Sequence, residues 1–195
     1  NDEDDYVRKE IEWTKVPLRE GKPFFGICLG AQVLARQLGG EVGFHPEGKV
    51  EVGYYPMHAT EAGNKLCPWP DHVYEWHREG FSLPCDATLL AKGDCFPNQA
   101  FQYGRAAFGF QFHPELTHHM MCRWTVRGAL RLEMPNAKPR HEHFDDRLVH
   151  DGKTRAWLDA FLNLWLALGD EAPGKKAAAD LQNANRVANC KARGK

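Results

Sequence analysis

Short runs of apolar residues alternate with segments of helical composition along most of the chain. The apolar run at 24–27 precedes a helical segment at 31–38. Further strand-like runs follow at 50–55, 72–76, 87–91 and 99–103. Strands mixed with helices are typical of an α/β protein, and the closely spaced later runs indicate hairpins lying against a parallel sheet. We therefore predict a doubly wound mixed sheet whose functional groups lie at the carboxyl ends of its strands.

A first helix is predicted from apolar residues spaced by four and seven positions. These residues are Val7, Ile11 and Leu18. Polar and acidic residues at 1–5 would supply the cap and the first turn of this helix. Pro17 and Gly21 are predicted to end it.

A polar segment at 141–150 is predicted to be a loop before a last helix at 154–168. That helix has large apolar residues along one side, as expected for core packing. The loop is rich in residue types that bind zinc: His141, Glu142, His143, Asp145, Asp146 and His150. Histidines two positions apart without a third fixed partner are more often solvated, so we predict no metal site. His118 and His119, which open another helix, face different sides of it and are poor joint ligands.

Composition and charge narrow the function classes. A chain of 195 residues favours one domain, and the formal net charge of -1 gives no electrostatic case for binding nucleic acid or an anionic membrane. The six cysteines form no C-x-x-C pair, which fits a reducing compartment. The sequence shows neither a run of eighteen apolar residues nor a basic-then-apolar leader. We therefore predict a cytoplasmic protein with no membrane or nucleic-acid partner.

The character of the chain changes at Asp170. The residues that follow are polar, basic and rich in alanine, with few apolar side chains to bury. We predict one domain at 1–169 and a tail at 170–195. The tail either docks a partner or is a solvated extension, and its composition favours the extension.

One short stretch has the order of a nucleophile elbow. The apolar run ends at Cys28, which is flanked by Gly26 and Gly30 and followed by the helical segment. We expect both glycines to be required because the turn leaves no room for a Cβ, and we expect a strained Cys28. At a helix N-terminus its thiolate would be favoured, and the N–H of Leu29 would stabilise an oxyanion. The alternative for a lone cysteine is a core filler.

A second stretch supplies a base and a carboxylate. Phe108, Phe110 and Phe112 alternate as in a half-buried strand, and the pattern ends at His113. Glu115 is two positions further on, so in an extended backbone both side chains would point to the same side. The chain therefore offers a nucleophile, a general acid and base, and a group that orients the imidazole. A solvated loop is the alternative interpretation of this stretch.

The two stretches together resemble a known family. Gly-Ile-Cys-Leu-Gly-x-Gln, at 26–32, and Gln-Phe-His-Pro-Glu, at 111–115, are similar to the motifs of class I glutamine amidotransferases, close to the glutaminase domain of GMP synthase. The resemblance runs from Asn1 to about Trp165. It implies a flavodoxin-like fold, a catalytic triad and no cofactor. The implied triad is Cys28, His113 and Glu115, and the implied substrate contacts are Leu29, Gly30, Gln32 and His77.

The assignment of His77 stays open. In the family a histidine at this place is followed two positions later by an acid, usually aspartate, and lies near the glutamine pocket. Here the acid is Glu79. A structural His77 that is hydrogen-bonded at a strand end is the alternative.

The resemblance implies three candidate functions. The first is hydrolysis of the side-chain amide of L-glutamine through a cysteine thioester, with ammonia released to a separate synthetase subunit or other acceptor. No G-x-x-x-x-G-K-[ST] sequence occurs that would bind ATP phosphates. The second is hydrolysis of a γ-glutamyl peptide or conjugate. The third is a non-catalytic binding or regulatory subunit.

The third candidate is connected with the start of the sequence. In the similar family, two or three strands and a glycine loop that provides the other oxyanion donor precede the first helix. We expect these parts to lie outside the present sequence. Loss of one such donor costs about 10² to 10³ in rate, so the activity of this chain alone is an open question at this point.

Overall fold

The fold is an α/β arrangement around one six-stranded sheet, seen in a computed structural model that describes residues 5–170. Its helices are α1 (Asp5–Arg19), α2 (Leu29–Gln37), α3 (Glu61–Leu66), α4 (His118–Arg127) and α5 (Arg140–Asp170), with a 3₁₀ turn at Ala129–Glu133. Its strands are β1 (Phe24–Ile27), β2 (Val42–Phe44), β3 (Glu51–Ala59), β4 (His72–His77), β5 (Glu79–Phe81), β6 (Ala87–Gly93), β7 (Ala100–Tyr103) and β8 (Ala107–Phe110). Within residues 5–170, no helix combines the length and apolar character needed to cross a membrane.

The strand order of the main sheet is β1-β8-β7-β6-β3-β4, and β2 pairs with β5 in a separate ribbon. β1 and β8 are parallel, with Ile27 opposite Phe110, whereas the other neighbours in the main sheet are antiparallel. The predicted mixed sheet is confirmed. Its antiparallel strands continue the same sheet, however, and do not lie against it as separate hairpins.

Helices cover both faces of the sheet. On one face, Ala31, Leu34 and Ala35 of α2 pack against Phe81 and Phe101. On the other face, the aromatic side chains of β8 pack against α5: Phe108, Phe110, Trp157 and Phe161 belong to one buried cluster. The predicted helix at 154–168 is therefore present as the second half of α5, and its apolar side forms core as expected.

β8 is buried along its whole length, so its prediction as a half-buried strand was wrong. The positions between its phenylalanines are Ala107 and Gly109, which are also buried. A Cβ at Gly109 would lie 2.4 Å from the ring of Phe101 and 3.2 Å from Ala31 Cβ. Small residues on this side let α2 approach the sheet closely, and that close approach buries the second face.

The polar segment 141–150 is helical, which corrects the predicted loop. It forms the first half of α5, where Asp151 accepts hydrogen bonds from Arg147 at 2.8 Å and Arg155 at 2.9 Å, each four residues away. His143 is fully buried, donates from Nε2 to the Lys138 carbonyl (3.0 Å) and accepts at Nδ1 from the Tyr74 hydroxyl (2.9 Å). His143, which was predicted to lie in a loop, is therefore held in the core by two hydrogen bonds.

The first helix continues past Pro17, which was predicted to help end it. Pro17 is buried and lies within the last turn of α1, where its missing N–H removes one hydrogen bond, to the carbonyl four residues earlier, without ending the helix. Gly21, with a positive φ of 64°, follows the helix, and the N–H of Lys22 donates to the Pro17 carbonyl at 2.9 Å. This left-handed glycine ends the helix as predicted.

Several short elements were not predicted. They are β2, β5 and α3, the last of which is capped by Thr60, whose hydroxyl accepts from the N–H of Gly63 at 3.1 Å. β3 extends four residues beyond the predicted strand at 50–55, to Ala59. The predicted cap at residues 1–4 and the predicted tail beyond Asp170 lie outside the described residues.

The elbow requires one of its two glycines for packing. A Cβ at Gly26 would lie 2.4 Å from the Gly30 carbonyl oxygen, whereas a Cβ at Gly30 would meet no atom within 4 Å. The expectation that both glycines are required for lack of space is therefore correct for Gly26 and wrong for Gly30.

We expect Gly26→Ala to lower the free energy of unfolding by about 2 kcal/mol or more, because its Cβ collides with backbone that cannot move aside. The matched control is Gly30→Ala, which should change stability by less than about 1 kcal/mol. Urea unfolding of both variants measures the difference. Equal unfolding midpoints for the two variants would show that the turn has room for a Cβ at Gly26 and would contradict the prediction.

We also predict a pH dependence from His143. Burial lowers the pKa of His143, so the unfolded chain, with its ordinary histidine, binds a proton more readily below about pH 6.5. Stability that depends on neutral His143 is therefore lost as the pH falls. Between pH 7 and pH 5, His143→Gln should lose less stability than the wild type in urea unfolding. The control is the exposed His119→Gln, which should lose as much stability as the wild type. If His143→Gln also loses as much stability as the wild type, the pH dependence does not come from His143.

Candidate active site

Cys28 occupies the junction between β1 and α2. Its backbone has φ 48° and ψ -104°, a strained conformation for a residue with a Cβ. Its N–H donates to the Phe110 carbonyl at 2.7 Å, which fixes the turn against the end of β8. Its side chain is only partly buried. The sulfur is therefore accessible at a helix N-terminus, where the helix dipole favours a negative charge.

His113 and Glu115 lie beyond the end of the neighbouring strand. The N–H of His113 donates to the Tyr74 carbonyl at 2.8 Å, and its Nδ1 donates to Glu115 Oε1 at 2.7 Å. The two residues belong to a turn closed by Leu116, whose N–H donates to the His113 carbonyl, and not to an extended segment as expected. The edge of the ring packs against Trp124, with centroids 4.8 Å apart.

The ring of His113 lies close enough to the Cys28 thiol for the two groups to interact. Because Nδ1 is committed to Glu115, the nitrogen that faces the sulfur is Nε2. Burial lowers the pKa of His113, but the hydrogen bonds with Cys28 and Glu115 outweigh it and raise the pKa to about 9. At neutral pH the imidazole is therefore protonated beside the sulfur.

Two glutamine side chains connect this site to the ribbon formed by β2 and β5. Gln111 Nε2 lies 3.7 Å from Cys28 Sγ, and its Oε1 accepts from Gln32 Nε2 at 3.2 Å. Gln32 Nε2 also donates to the Glu79 carbonyl at 2.8 Å. Sequence reasoning assigned no role to Gln111, although its position two residues before His113 could have placed it on the same side.

His77 is buried away from the sulfur. Its Nδ1 donates to the Glu79 carbonyl at 3.0 Å, and its Nε2 faces Glu51 and Glu75, each at 3.1 Å. It is linked to the site through the Glu79 carbonyl that it shares with Gln32. Of the two interpretations left open by the sequence, these contacts favour a structural His77.

Leu29 and Gly30 begin α2, directly after Cys28. N–H groups in the first turn of a helix have no intrahelical partner, so that of Leu29 can bind an anionic oxygen. The side chain of Leu29 is exposed, and the space beside Gly30 is open. The structure thus groups four of the predicted residues around the sulfur: Leu29, Gly30, His113 and, through Gln111, Gln32.

Two groups of side chains within residues 5–170 could hold a metal ion. Asp71, His72 and His150 lie near the surface, where the two imidazoles stack with centroids 4.3 Å apart. Glu51, Glu75 and His77 form the second group, which is buried. Neither group includes Cys28 or His113.

Comparison with known families identifies the relatives of the chain. Residues 2–124 match the model of the family described as Glutamine amidotransferase class-I. A glutamine amidotransferase-like protein of Salmonella typhimurium, YfeJ, is 41% identical over 98 residues, which are 47% of this chain and 40% of the relative. A GMP synthase (glutamine-hydrolyzing) of Aeropyrum pernix is 36% identical over 118 residues, 59% of this chain and 23% of that protein. The chain thus spans less than half the length of either relative.

Solved structures show the same fold. A glutamine amidotransferase from Thermotoga maritima superposes with a TM-score of 0.65 at 29% identity, covering 85% of this chain and 70% of that one. A glutamine amidotransferase from Methylobacillus flagellatus gives a TM-score of 0.79 at 24% identity, covering 90% and 74% of the two chains. The second likeness concerns the fold alone.

The charged state of His113 predicts the reactivity of Cys28. Replacing His113 with alanine removes both the cation and the hydrogen bond at the sulfur, so alkylation of Cys28 by iodoacetamide at pH 7 should slow about 10-fold. Mass spectrometry separates this label from labels on the other cysteines of the described region. The exposed His119→Ala is the control and should leave the rate unchanged. An unaltered rate in His113→Ala would contradict the pairing.

Proposed function

Because the chain belongs to the class I glutamine amidotransferase family, we propose that it hydrolyses the side-chain amide of L-glutamine through a thioester on Cys28. The observation that supports this best is the position of the His113 imidazole, which interacts with Cys28 on one side and is hydrogen-bonded to Glu115 on the other. A nucleophile, a base that contacts it and a carboxylate that orients the base form the usual constellation of acyl transfer.

The first half of the reaction begins with Cys28 beside the protonated imidazole of His113. The thiolate of Cys28 attacks the amide carbon, and the resulting oxyanion accepts a hydrogen bond from the N–H of Leu29. His113 Nε2 gives its proton to the amide nitrogen as the carbon–nitrogen bond breaks. Ammonia leaves, and the γ-glutamyl group stays on the sulfur as a thioester.

The second half returns the enzyme to its starting state. His113, now neutral, takes a proton from water as the water attacks the thioester carbon. The carbon–sulfur bond breaks, glutamate leaves, and the thiolate again faces a protonated imidazole. Glu115 stays ionised and holds the ring in one tautomer throughout.

The polar residues around the sulfur have positioning and binding roles in this proposal. Gln111 donates toward Cys28 Sγ and is held in turn by Gln32. The open space beside Gly30 admits substrate next to the oxyanion donor of Leu29. His77 acts through the Glu79 carbonyl, which orients Gln32.

A separate acceptor for the ammonia belongs to the same proposal. The GMP synthase relatives are named as glutamine-hydrolyzing, and the chain covers only about a fifth of their length. We propose a synthetase subunit or domain as the acceptor, in which an electrophilic intermediate captures the ammonia. The orientation of His113 by Glu115 beside Cys28 argues against a purely non-catalytic subunit, because such a subunit has no use for an oriented base next to a thiol.

We expect the purified chain to release ammonia from glutamine and Cys28→Ala to release none. Glu115→Gln should lower kcat by about 10²-fold or more, because the ring loses its orienting charge and the pKa of His113 falls. Coupled assay of ammonia measures both variants, and His119→Ala serves as the unchanged control. Labelling by diazo-oxo-norleucine should occur on Cys28.

The outcomes separate the candidate functions. Faster cleavage of γ-glutamyl dipeptides than of glutamine would replace the proposal with the conjugate hydrolase. Glutamine binding without ammonia release and without a label on Cys28 would favour the regulatory subunit.

A further inference from the structure

A compact group of buried ionisable side chains lies between β3 and β4. Glu51 and His77 are directly opposite in the antiparallel register, and Glu75 precedes His77 by two residues, so all three point to the same face. Their exposed fractions are 1% for Glu51, 0% for Glu75 and 3% for His77. One ligand atom from each lies within 4.8 Å of the other two.

The hydrogen bonds within this group do not satisfy all of its buried polar atoms. Nε2 of His77 carries at most one hydrogen, yet it lies 3.1 Å from an oxygen of Glu51 and 3.1 Å from an oxygen of Glu75. Glu51 Oε2 has a second donor, Gln99 Nε2, at 2.8 Å. Neither oxygen of Glu75 has a hydrogen-bond partner in the described structure. A buried carboxylate in this state needs either a proton or a cation.

The group also holds two carboxyl groups out of contact with water. A divalent cation bound between them would neutralise the charge of both carboxylates, whereas one proton would neutralise only one of them.

The histidine is oriented as a metal ligand is. Its Nδ1–H donates to the Glu79 carbonyl, so Nε2 is the ring nitrogen that faces the two carboxylates. Metal-binding histidines usually fix their tautomer by such a bond to a carbonyl. Ligand atoms about 2.0 to 2.1 Å from a tetrahedral ion lie about 3.3 Å apart, close to the two separations of 3.1 Å seen here.

We propose that Glu51, Glu75 and His77 form a site for one divalent transition-metal ion, of the Zn²⁺ or Mn²⁺ type. The ligands would be one imidazole nitrogen and two carboxylate oxygens, which are typical ligands of these ions. Soft metal ions, in contrast, prefer thiolate ligands. Glu51 lines a cleft of about 480 Å³ whose walls include Tyr55, Asp94 and Cys95. Glu51 thus connects the buried group to this cleft.

The site lies next to the residues that hold the candidate active site. The Glu79 carbonyl accepts from His77 Nδ1 and from Gln32 Nε2, so an ion that fixes His77 also fixes the acceptor of Gln32. Metal binding by the buried acids does not depend on the proposed glutamine hydrolysis. Bound metal can therefore be measured without an activity assay, and failure of one proposal leaves the other standing.

The test measures metal bound to the full chain. The wild type is stripped with a chelator, dialysed against Zn²⁺ or Mn²⁺ and then against buffer, and its metal content is measured by mass spectrometry. We expect about one ion per chain for the wild type and none for Glu75→Gln, which removes a ligand charge. The His72→Gln/His150→Gln double variant, which disables the surface group, and Cys28→Ala, which removes the reactive sulfur, are matched controls and should keep one ion.

A second measurement covers the case in which Glu75→Gln does not fold, as judged by circular dichroism. X-ray absorption of the zinc-loaded wild type should show nitrogen and oxygen ligands at about 2.0 to 2.1 Å, an imidazole contribution and no sulfur. Retention of neither metal by the wild type, equal retention by folded Glu75→Gln, or sulfur among the ligands would overturn the proposal.

Discussion

The parallel pairing of β1 with β8 is the constraint on which the rest of the candidate site depends. Adjacent parallel strands end at the same edge of a sheet, so the residues that follow them meet in space although some 85 positions separate them in sequence. The Cys28 N–H bonded to the Phe110 carbonyl continues this pairing one step beyond the strands. The turn that carries the sulfur and the turn that carries the imidazole are therefore held in one register.

Burial on both faces makes this register rigid. β8 has no solvent-exposed side, since α5 packs on its phenylalanines and α2 packs over Gly109. A slip of one residue would place Phe108 and Phe110 where only small residues fit. The same close packing requires Gly26 at the start of the elbow. The packing that buries this sheet therefore also fixes the positions of Cys28 and His113.

Local patterns were sufficient to predict the elbow and the place of His113 beyond the end of a strand, because the strand, the strained cysteine and the helix are consecutive and the phenylalanine pattern ends at His113. They did not predict the turn that carries His113 and Glu115, which was expected to be extended. Local patterns gave wrong predictions where tertiary contacts determine the structure. The segment 141–150 looks like a polar loop, but Tyr74 and the Lys138 carbonyl give His143 a buried place in a helix. The group formed by Glu51, Glu75 and His77 was not predicted for the same reason. In the sequence Glu51 and Glu75 look like ordinary polar residues of strands, and the pairing of β3 with β4 is what brings them to His77.

The Glu79 carbonyl shows how the reacting groups and the groups that hold them are coupled. One oxygen accepts from both Gln32 and His77, and Gln32 in turn supports Gln111, which approaches the sulfur. Any change in the charge or position of His77 alters the acceptor that Gln32 depends on, because both donors share its lone pairs. The polar groups buried under β3 and β4 can therefore influence Cys28 without touching it, through a chain of hydrogen bonds in which each member has a defined partner.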